Sequence, residues 1–362
     1  MKLKFKMTAF LALLLLITGG TMQAQNCKEQ AENKGLWERN KDTRPLGWET
    51  VATRKYTKQI TAVVDSIGAL FIKSYPVPFG SKVDWNRVLQ PADSVTIPDY
   101  QLASYLYSAY VLAYRCTDNK ITADGETPIT IKASVNDYFR SGYEPCIAIN
   151  KSLHEHLFLL PPRQFTLKGF PGFASIADGW SERIVNMRYT VLVHKEGMLP
   201  YTPVSIREYF NLMRQVADAE ERKEKASLEG LKKMSMNIDE GLSKITSQYK
   251  NIRDNIARQE QINASKLEKA AILPSVDVSL SPFRNSDTEA RLFTSVNRGY
   301  QLVRPNPDYI DKNREKWKPQ YIWVSWTVNK NNSPYYGKLT AKLDTMMRTE
   351  FDFEKLGDML IK

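Results

Sequence analysis

The most regular pattern of apolar positions in the chain is a seven-residue repeat between residues 228 and 256. One set of positions is spaced by seven residues: Leu231, Ile238, Ile245 and Ile252. The alternate core positions, except Ser235, are also apolar: Leu228, Leu242, Tyr249 and Ile256. Such a repeat places these side chains along one seam of a helix, as in a coiled coil. The pattern therefore predicts a helical seam that needs a partner surface.

The predicted helix that carries this seam spans residues 205–272. Ser205 and Glu208 have the spacing of a capping box, in which each side chain bonds a backbone N–H of the first turn. No proline occurs within the stretch, and the seam keeps its phase throughout. The sequence therefore favours one continuous helix of about 100 Å that projects from a compact body. The alternative is a hairpin that folds back near Asn237 or Gly241, the weakest points of the helix.

Before residue 205 the apolar positions change from helical to strand-like spacing. An amphipathic helix is predicted from about Thr50 to Ser74, since its apolar side chains recur every three or four residues. After it, short runs rich in aromatic and β-branched residues alternate with Pro and Gly, which is typical of antiparallel strands. The predicted strands cover residues 100–116, 129–131, 146–150, 153–160, 164–170 and 188–194.

The clearest strand of the chain is predicted over residues 321–328, where apolar residues on both faces indicate a central position. Helices over 339–348 and 356–360 close the chain. The predicted fold class is therefore α+β, an antiparallel sheet with packed helices and a long, coiled-coil-like helical insertion. The predicted organisation is a signal peptide (1–24), an extended N-terminal arm (25–48), an α+β body (49–204), a helical protrusion (205–272) and a C-terminal segment that completes the body (273–362).

The first 24 residues have the layout of a secretory signal peptide. Three lysines precede an apolar run from Ala9 to Ile17, and Ala24 offers a small residue for cleavage. The run is shorter than the roughly 20 apolar residues that a membrane-spanning helix needs. We therefore expect an exported chain, periplasmic or extracellular, that has no transmembrane helix after cleavage.

Composition indicates a folded protein, and the positive net charge suggests an anionic polymer as a partner. The chain of 362 residues is 42% hydrophobic and 11% aromatic, which indicates a folded protein. The formal net charge is +11, and about +8 would remain after removal of the three signal-peptide lysines. A positive surface attracts anionic envelope polymers, although solubility alone also explains scattered basic residues. The basic residues form no continuous stripe, so we do not expect a nucleic acid as a partner.

The three cysteines predict one disulfide in an oxidising compartment. Cys116 and Cys146 both lie inside the predicted folded region, and a bond between them would close a loop of about 30 residues, worth roughly 3–4 kcal/mol. Cys27 is left over near the predicted new N-terminus, where it is either free or bridges to a partner.

The sharpest candidate for catalysis is a His-x-His pattern. On a strand, His154 and His156 would face the same way, and His194 on another predicted strand could complete a zinc site. Three histidines leave a position for an activated water, with Glu155 or another carboxylate as base, which would make a metal-dependent hydrolase. The simpler interpretation is two surface histidines beside a turn.

Two groups of aromatic residues are candidates for ligand contacts. In the turn Lys168–Phe173, the Phe side chains either contact a ligand or pack inward. Tyr105, Tyr107, Trp323 and Trp326 would either line a glycan-binding groove or pack in the core. Core packing is the commoner arrangement for aromatic residues on strands.

Nucleophilic and phosphate-binding motifs are absent from the sequence, which has no Gly-x-Ser-x-Gly elbow and no glycine-rich phosphate loop. We therefore expect a non-enzymatic binding or scaffold protein without a cofactor, with the zinc hydrolase as the alternative. The expected contact with a protein partner or a second copy is through the helix seam: Leu231, Ile238, Leu242, Ile245, Tyr249, Ile252 and Ile256.

Two segments resemble a family of secreted proteins. Leu199–Tyr209 has a proline-flanked pattern that leads into the long helix, and Asn306–Lys312 is similar to a segment further along in the same proteins. These proteins are uncharacterised secreted proteins of Gram-negative bacteria with no assigned activity. The resemblance covers the C-terminal half of the chain and implies an exported location and a shared fold. It implies no catalytic residue.

Overall fold

The computed structural model describes a set of segments that together contain two sheets and six helices. The described residues are 35–39, 55–89, 102–117, 120–125, 127, 129–137, 144–145, 152–177, 186–232, 238–276, 278–284, 292–329 and 336–361. The predicted signal peptide and most of the predicted arm lie outside these residues, as does the predicted strand 146–150.

The secondary structure begins and ends as follows. The strands are β1 (Leu36–Arg39), β2 (Ser81–Leu89), β3 (Tyr105–Thr117), β4 (Lys120–Ala123), β5 (Thr130–Val135), β6 (Glu144–Pro145), β7 (Phe158–Leu160), β8 (Arg163–Leu167), β9 (Phe170–Ala177), β10 (Asn186–Val193), β11 (Tyr201–Pro203), β12 (Ile272–Leu273), β13 (Tyr300–Pro305) and β14 (Ile322–Asn329). The helices are α1 (Thr57–Ser74), α2 (Ile206–Lys232), α3 (Asp239–Ile262), α4 (Ser281–Arg284), α5 (Tyr336–Thr349) and α6 (Phe353–Ile361).

The larger sheet has the order β1-β2-β3-β5-β14-β10-β9-β8, and β4 pairs with β3. Its strands pair antiparallel except at one edge, where β1 and β2 are parallel. Strand β14 lies between β5 and β10, so the predicted central position of this strand is confirmed. The predicted α+β class with mainly antiparallel strands is also confirmed.

Helices α1, α5 and α6 cover one face of the larger sheet. The inward positions of the strands alternate with a period of two, so apolar side chains such as Tyr107, Ile131 and Trp326 point at the helices and are fully buried. Stacked rings of Phe71 on α1 and Phe351 before α6 lie at a centroid distance of 4.4 Å and bring the two helical segments together.

A second, smaller sheet packs against the opposite face of the larger one. Its order is β11-β13-β7-β6, and β12 pairs with β13. Along β7, Phe158 and Leu160 point into a core shared with the larger sheet, whereas Leu159 points away into a core shared with α2 and α3. The described part of the chain therefore has four layers: helices, sheet, sheet and a pair of helices.

The prediction of one continuous long helix is wrong. Helices α2 and α3 are separate and pack antiparallel, as shown by the ion pairs Arg214–Glu260 and Arg253–Asp218 between them. We call this pair the helical hairpin. A seam with a seven-residue repeat can pack against an antiparallel helix of the same chain or against a helix of another molecule. The repeat alone therefore does not distinguish a hairpin from a single projecting helix.

Local backbone geometry corrects two predicted strands. His154 has a left-handed φ of 56°, so the strand predicted over 153–160 is reduced to β7. The strand predicted over 164–170 is a hairpin of β8 and β9, in which Lys168 and Gly169 both have positive φ. Two consecutive residues of this kind make the two-residue turn that matches the twist of an antiparallel hairpin.

Candidate functional site

The helical hairpin begins with the predicted capping box. The backbone N–H of Ser205 donates to Glu208 Oε2 over 2.8 Å, and the N–H of Glu208 donates to Ser205 Oγ over 3.1 Å. Burial alone would raise the pKa of Glu208, but the hydrogen bonds from Ser205 and the charge of Arg304 hold that pKa below its usual value. The start of α2 is therefore well defined.

The base of the hairpin, residues 206–221 and 249–262, contributes one face of each helix to the protein interior. Tyr249, Ile252 and Ile256 of the predicted seam are at most 1% exposed. They share a core with apolar residues of α2, of α4 and of the smaller sheet. These three seam residues are therefore covered by other parts of the same chain.

A group of charged residues lies between the base and the outer half of the hairpin. Arg253 on α3 donates to Asp218 over 2.7 Å and pairs with Glu221, and both acidic residues are on α2. Lys225 also binds Glu221, over 2.6 Å. The hydrogen bonds from Lys225 and Arg253 lower the pKa of Glu221, so this largely buried carboxylate stays ionised.

The tyrosine of the seam is tied into the same charged region. The Tyr249 hydroxyl donates to Glu224 Oε1 over 2.7 Å. Burial, followed by this hydrogen bond, raises the pKa of Tyr249, because ionisation would place a second negative charge beside Glu224. The two helices are thus held together by directional contacts where the shared core ends.

The outer half of the hairpin, residues 222–230 and 239–248, consists of half-buried and exposed residues. Leu242 and Ile245 of the predicted seam are half-buried here, and Ile238, just before α3, is 4% exposed. Leu231 lies in the last turn of α2. The helices approach closely, since a Cβ on Gly241 would lie 2.7 Å from Leu228 Cδ2. The seam residues therefore divide between an internal and an accessible group.

The structure does not support the proposed zinc site. His154 and His156 precede β7, so the same-face geometry of a strand does not apply to them. The Nδ1 atom of His194 lies 2.6 Å from the carbonyl oxygen of Lys195 and 3.0 Å from that of Met198. Within the described segments, no group of three or more His, Cys, Asp or Glu side chains is placed to hold a metal.

The aromatic residues considered for a glycan groove are core residues. Tyr105, Tyr107, Trp323 and Trp326 are fully buried. The Tyr105 hydroxyl donates to the carbonyl of Trp317 over 2.8 Å, and Trp326 Nε1 donates to Asp344 over 2.8 Å. In the β8–β9 turn, Phe173 is 3% exposed and Phe170 contacts the main core. Inward packing is therefore the correct interpretation of both groups.

The predicted disulfide remains a prediction. Cys116 lies near the end of β3 and is half-buried. Cys27 and Cys146 lie outside the described residues, so the structure does not bear on the pairing.

The structure also contains a polar patch that the sequence interpretation missed. It lies on the face of the larger sheet that points away from α1, α5 and α6, next to the area covered by the smaller sheet. We call it the polar patch: Ser108, Tyr110, Thr130, Lys132, Ser175, Asn186, Arg188, Thr190, Ser325 and Thr327. Alternating polar residues in β5 and β10 were its only sequence signal, and such alternation ordinarily indicates a solvated face.

No family model, curated protein or solved structure matches this chain significantly. Among the described helices, none combines the length and the apolar character needed to cross a bilayer. Function must therefore be inferred from the geometry of the chain itself.

Proposed function

We propose that this chain is an exported, non-enzymatic binding or scaffold protein that contacts a protein partner, or a second copy, through the outer half of its helical hairpin. One observation carries the proposal: the hairpin continues past the shared core as two paired helices with accessible sides. Support for export comes from the N-terminal pattern of lysines, apolar residues and Ala24.

The base supports this role because it fixes the direction in which the hairpin points. Tyr249, Ile252 and Ile256 are anchored in the core, and Arg253 bridges the helices where the core ends. The part of α2 beyond Glu221 adds about 15 Å of helix at 1.5 Å per residue. An arm anchored in this way presents its sides with little loss of conformational entropy on binding.

The accessible seam residues are the proposed contact. Leu242 and Ile245 are half-buried, so each can lose further apolar surface against another protein. Mixed charges on the outer half, such as Glu224, Lys225 and Lys244, would form the polar rim around such a contact. The buried seam residues are then required for the fold rather than for contact.

Site-specific photo-crosslinking in intact cell envelopes and in purified protein tests the proposal. A photo-reactive residue at exposed position Ser243 on the outer half should form adducts, whereas one at exposed Lys73 on α1 should not. Adducts with another protein or with a second copy both support the proposal. Absence of adducts at Ser243 in both preparations would contradict it.

A matched pair of charged substitutions separates contact from folding. Leu242→Asp should abolish the Ser243 adducts or the self-association measured by light scattering, because it places a charge in the apolar contact. Ser247→Asp adds the same charge at an exposed position of the same helix and should have little effect. Equal behaviour of the two variants would argue against a contact centred on the seam.

A further inference from the structure

The face of the larger sheet that carries the polar patch divides into two parts. At one end, Trp323 and Leu192 belong to the core shared with the smaller sheet. Towards the other end, the same strands present Ser325, Thr190 and Arg188 instead. The change from apolar to polar residues occurs within one repeat of each strand, so the polar part is a distinct region beside the sheet–sheet core. Ser325 and Thr190 are at most 5% exposed, whereas the longer side chain of Arg188 is half-buried.

Register pairing brings the polar side chains of four adjacent strands together. Ser108 on β3 lies opposite Lys132 on β5, which lies opposite Ser325 on β14. In the next row, Thr327 lies opposite Arg188 on β10. Residues opposite one another on a sheet face have Cβ atoms about 5 Å apart, so neighbours such as Ser108 and Lys132 can contact one sugar ring, whereas the whole row of four strands is about 15 Å wide and fits a short saccharide chain.

The two cations of the patch lack an acidic partner among the residues that the structure describes. Lys132 and Arg188 are half-buried, and neither forms an ion pair there. The carboxylate of Asp84 on the same face pairs with Lys82 over 3.1 Å. Burial, followed by repulsion from the like charge of Arg188, lowers the pKa of Lys132.

Neutral groups of the patch are also left without partners. Ser108 is 1% exposed and Asn186 is 4% exposed, yet Ser108 Oγ and Asn186 Oδ1 have no hydrogen-bond partner in the described structure. Buried polar atoms are nearly always hydrogen-bonded in native proteins, so unpartnered groups beside two unpaired cations call for an explanation.

We infer that the polar patch is a binding site for an acidic saccharide. A carboxylate would lie between Lys132 and Arg188, where it would offset the repulsion between the two cations. Sugar hydroxyls both donate and accept, so a ring beside Lys132 can bond the hydroxyl of Ser108. A further sugar unit beyond Arg188 can donate to the amide oxygen of Asn186. This site is independent of the helical hairpin, and it supplies a place for the anionic envelope polymer that the positive charge of the chain suggests.

Titration calorimetry on the full chain tests the inference by measuring the binding of three small molecules. D-glucuronate carries both the carboxylate and the hydroxyls, D-glucose lacks the charge, and acetate lacks the hydroxyls. Glucuronate should bind about tenfold or more tightly than either of the others, because each loses charge-assisted or neutral hydrogen bonds. Equal binding of acetate and glucuronate, or no binding of glucuronate, would overturn the inference.

Variants assign the binding to the patch. Lys132→Met should weaken glucuronate binding by about tenfold or more and leave any weak glucose binding unchanged. Ser108→Ala should weaken glucuronate binding without lowering the melting temperature, because it removes an unpartnered buried hydroxyl. Lys73→Met, on the opposite side of the sheet, is the control and should bind as the unaltered chain does. Unchanged binding in both patch variants would show that the ligand binds elsewhere and would refute the site.

Discussion

The base and the outer half of the helical hairpin share the same two helices and the same seven-residue repeat, but their surroundings differ. In the base, Ile252 is 1% exposed and packs against α2 and the smaller sheet. In the outer half, Leu242, from the alternate set of seam positions, remains half-buried. A periodic pattern therefore identifies which side chains lie along one line, whereas the tertiary structure determines what covers them.

The largest expected difference between the two halves is in the cost of removing a seam side chain. Ile252→Ala should lower the free energy of unfolding by about 2–5 kcal/mol, since it leaves a cavity in a packed core. Leu242→Ala should cost less than about 1 kcal/mol, because its site is half-open. Chemical denaturation of the purified protein measures both. A similar cost at both positions would mean that the outer half is also covered.

The charged residues that separate the two halves should have an intermediate effect. Arg253→Met removes the contacts with Asp218 and Glu221 and should cost about 1–2 kcal/mol at neutral pH. Lys250→Met, at an exposed position of the same helix, is the control and should stay within about 0.5 kcal/mol of the parent protein.

The pH dependence of this effect follows from Glu221. Its pKa is lowered in the folded protein, so its contribution is complete above the unfolded value of about 4.3 and is lost as the pH falls through the folded value. The difference between Arg253→Met and the parent protein should therefore shrink in acid. A difference that is constant from neutral pH into that acidic range would show that Glu221 contributes little.

The smallest expected effects concern the two glycines of the hairpin. Gly230→Ala should raise the free energy of unfolding by up to about 1 kcal/mol, because Ala is the better helix former and open space surrounds the new methyl group. Gly241→Ala should gain less, since its Cβ would meet Leu228. Denaturation midpoints compare the two variants. A larger gain at Gly241 would indicate that the helices of the outer half are not closely paired in solution.

Much of the local structure could be predicted because it depends on neighbouring residues in the sequence. Ser205 and Glu208 form the expected capping box, and β14 is the expected central strand. Both signals are short-range: three residues separate the cap partners, and an apolar run on both faces of a strand indicates that both faces are covered.

The features that could not be predicted depend on distant parts of the chain. The smaller sheet contains strands of two or three residues, such as β12 and β7, which are too short to show an alternating pattern. The partner of Ile252 is an earlier helix, and the repeat carries no information about its partner. In the polar patch, Lys132 and Arg188 are 56 residues apart and come together through β14.

Strand β7 has a consequence for how the protein comes apart. Phe158 and Leu159 are adjacent in sequence, yet they line two different cores. A single strand thus separates the two cores, and each core packs against one face of that strand. Unfolding of either core would expose the side chains that β7 contributes to the other core. We therefore expect the helical hairpin and the two sheets to unfold as one cooperative unit.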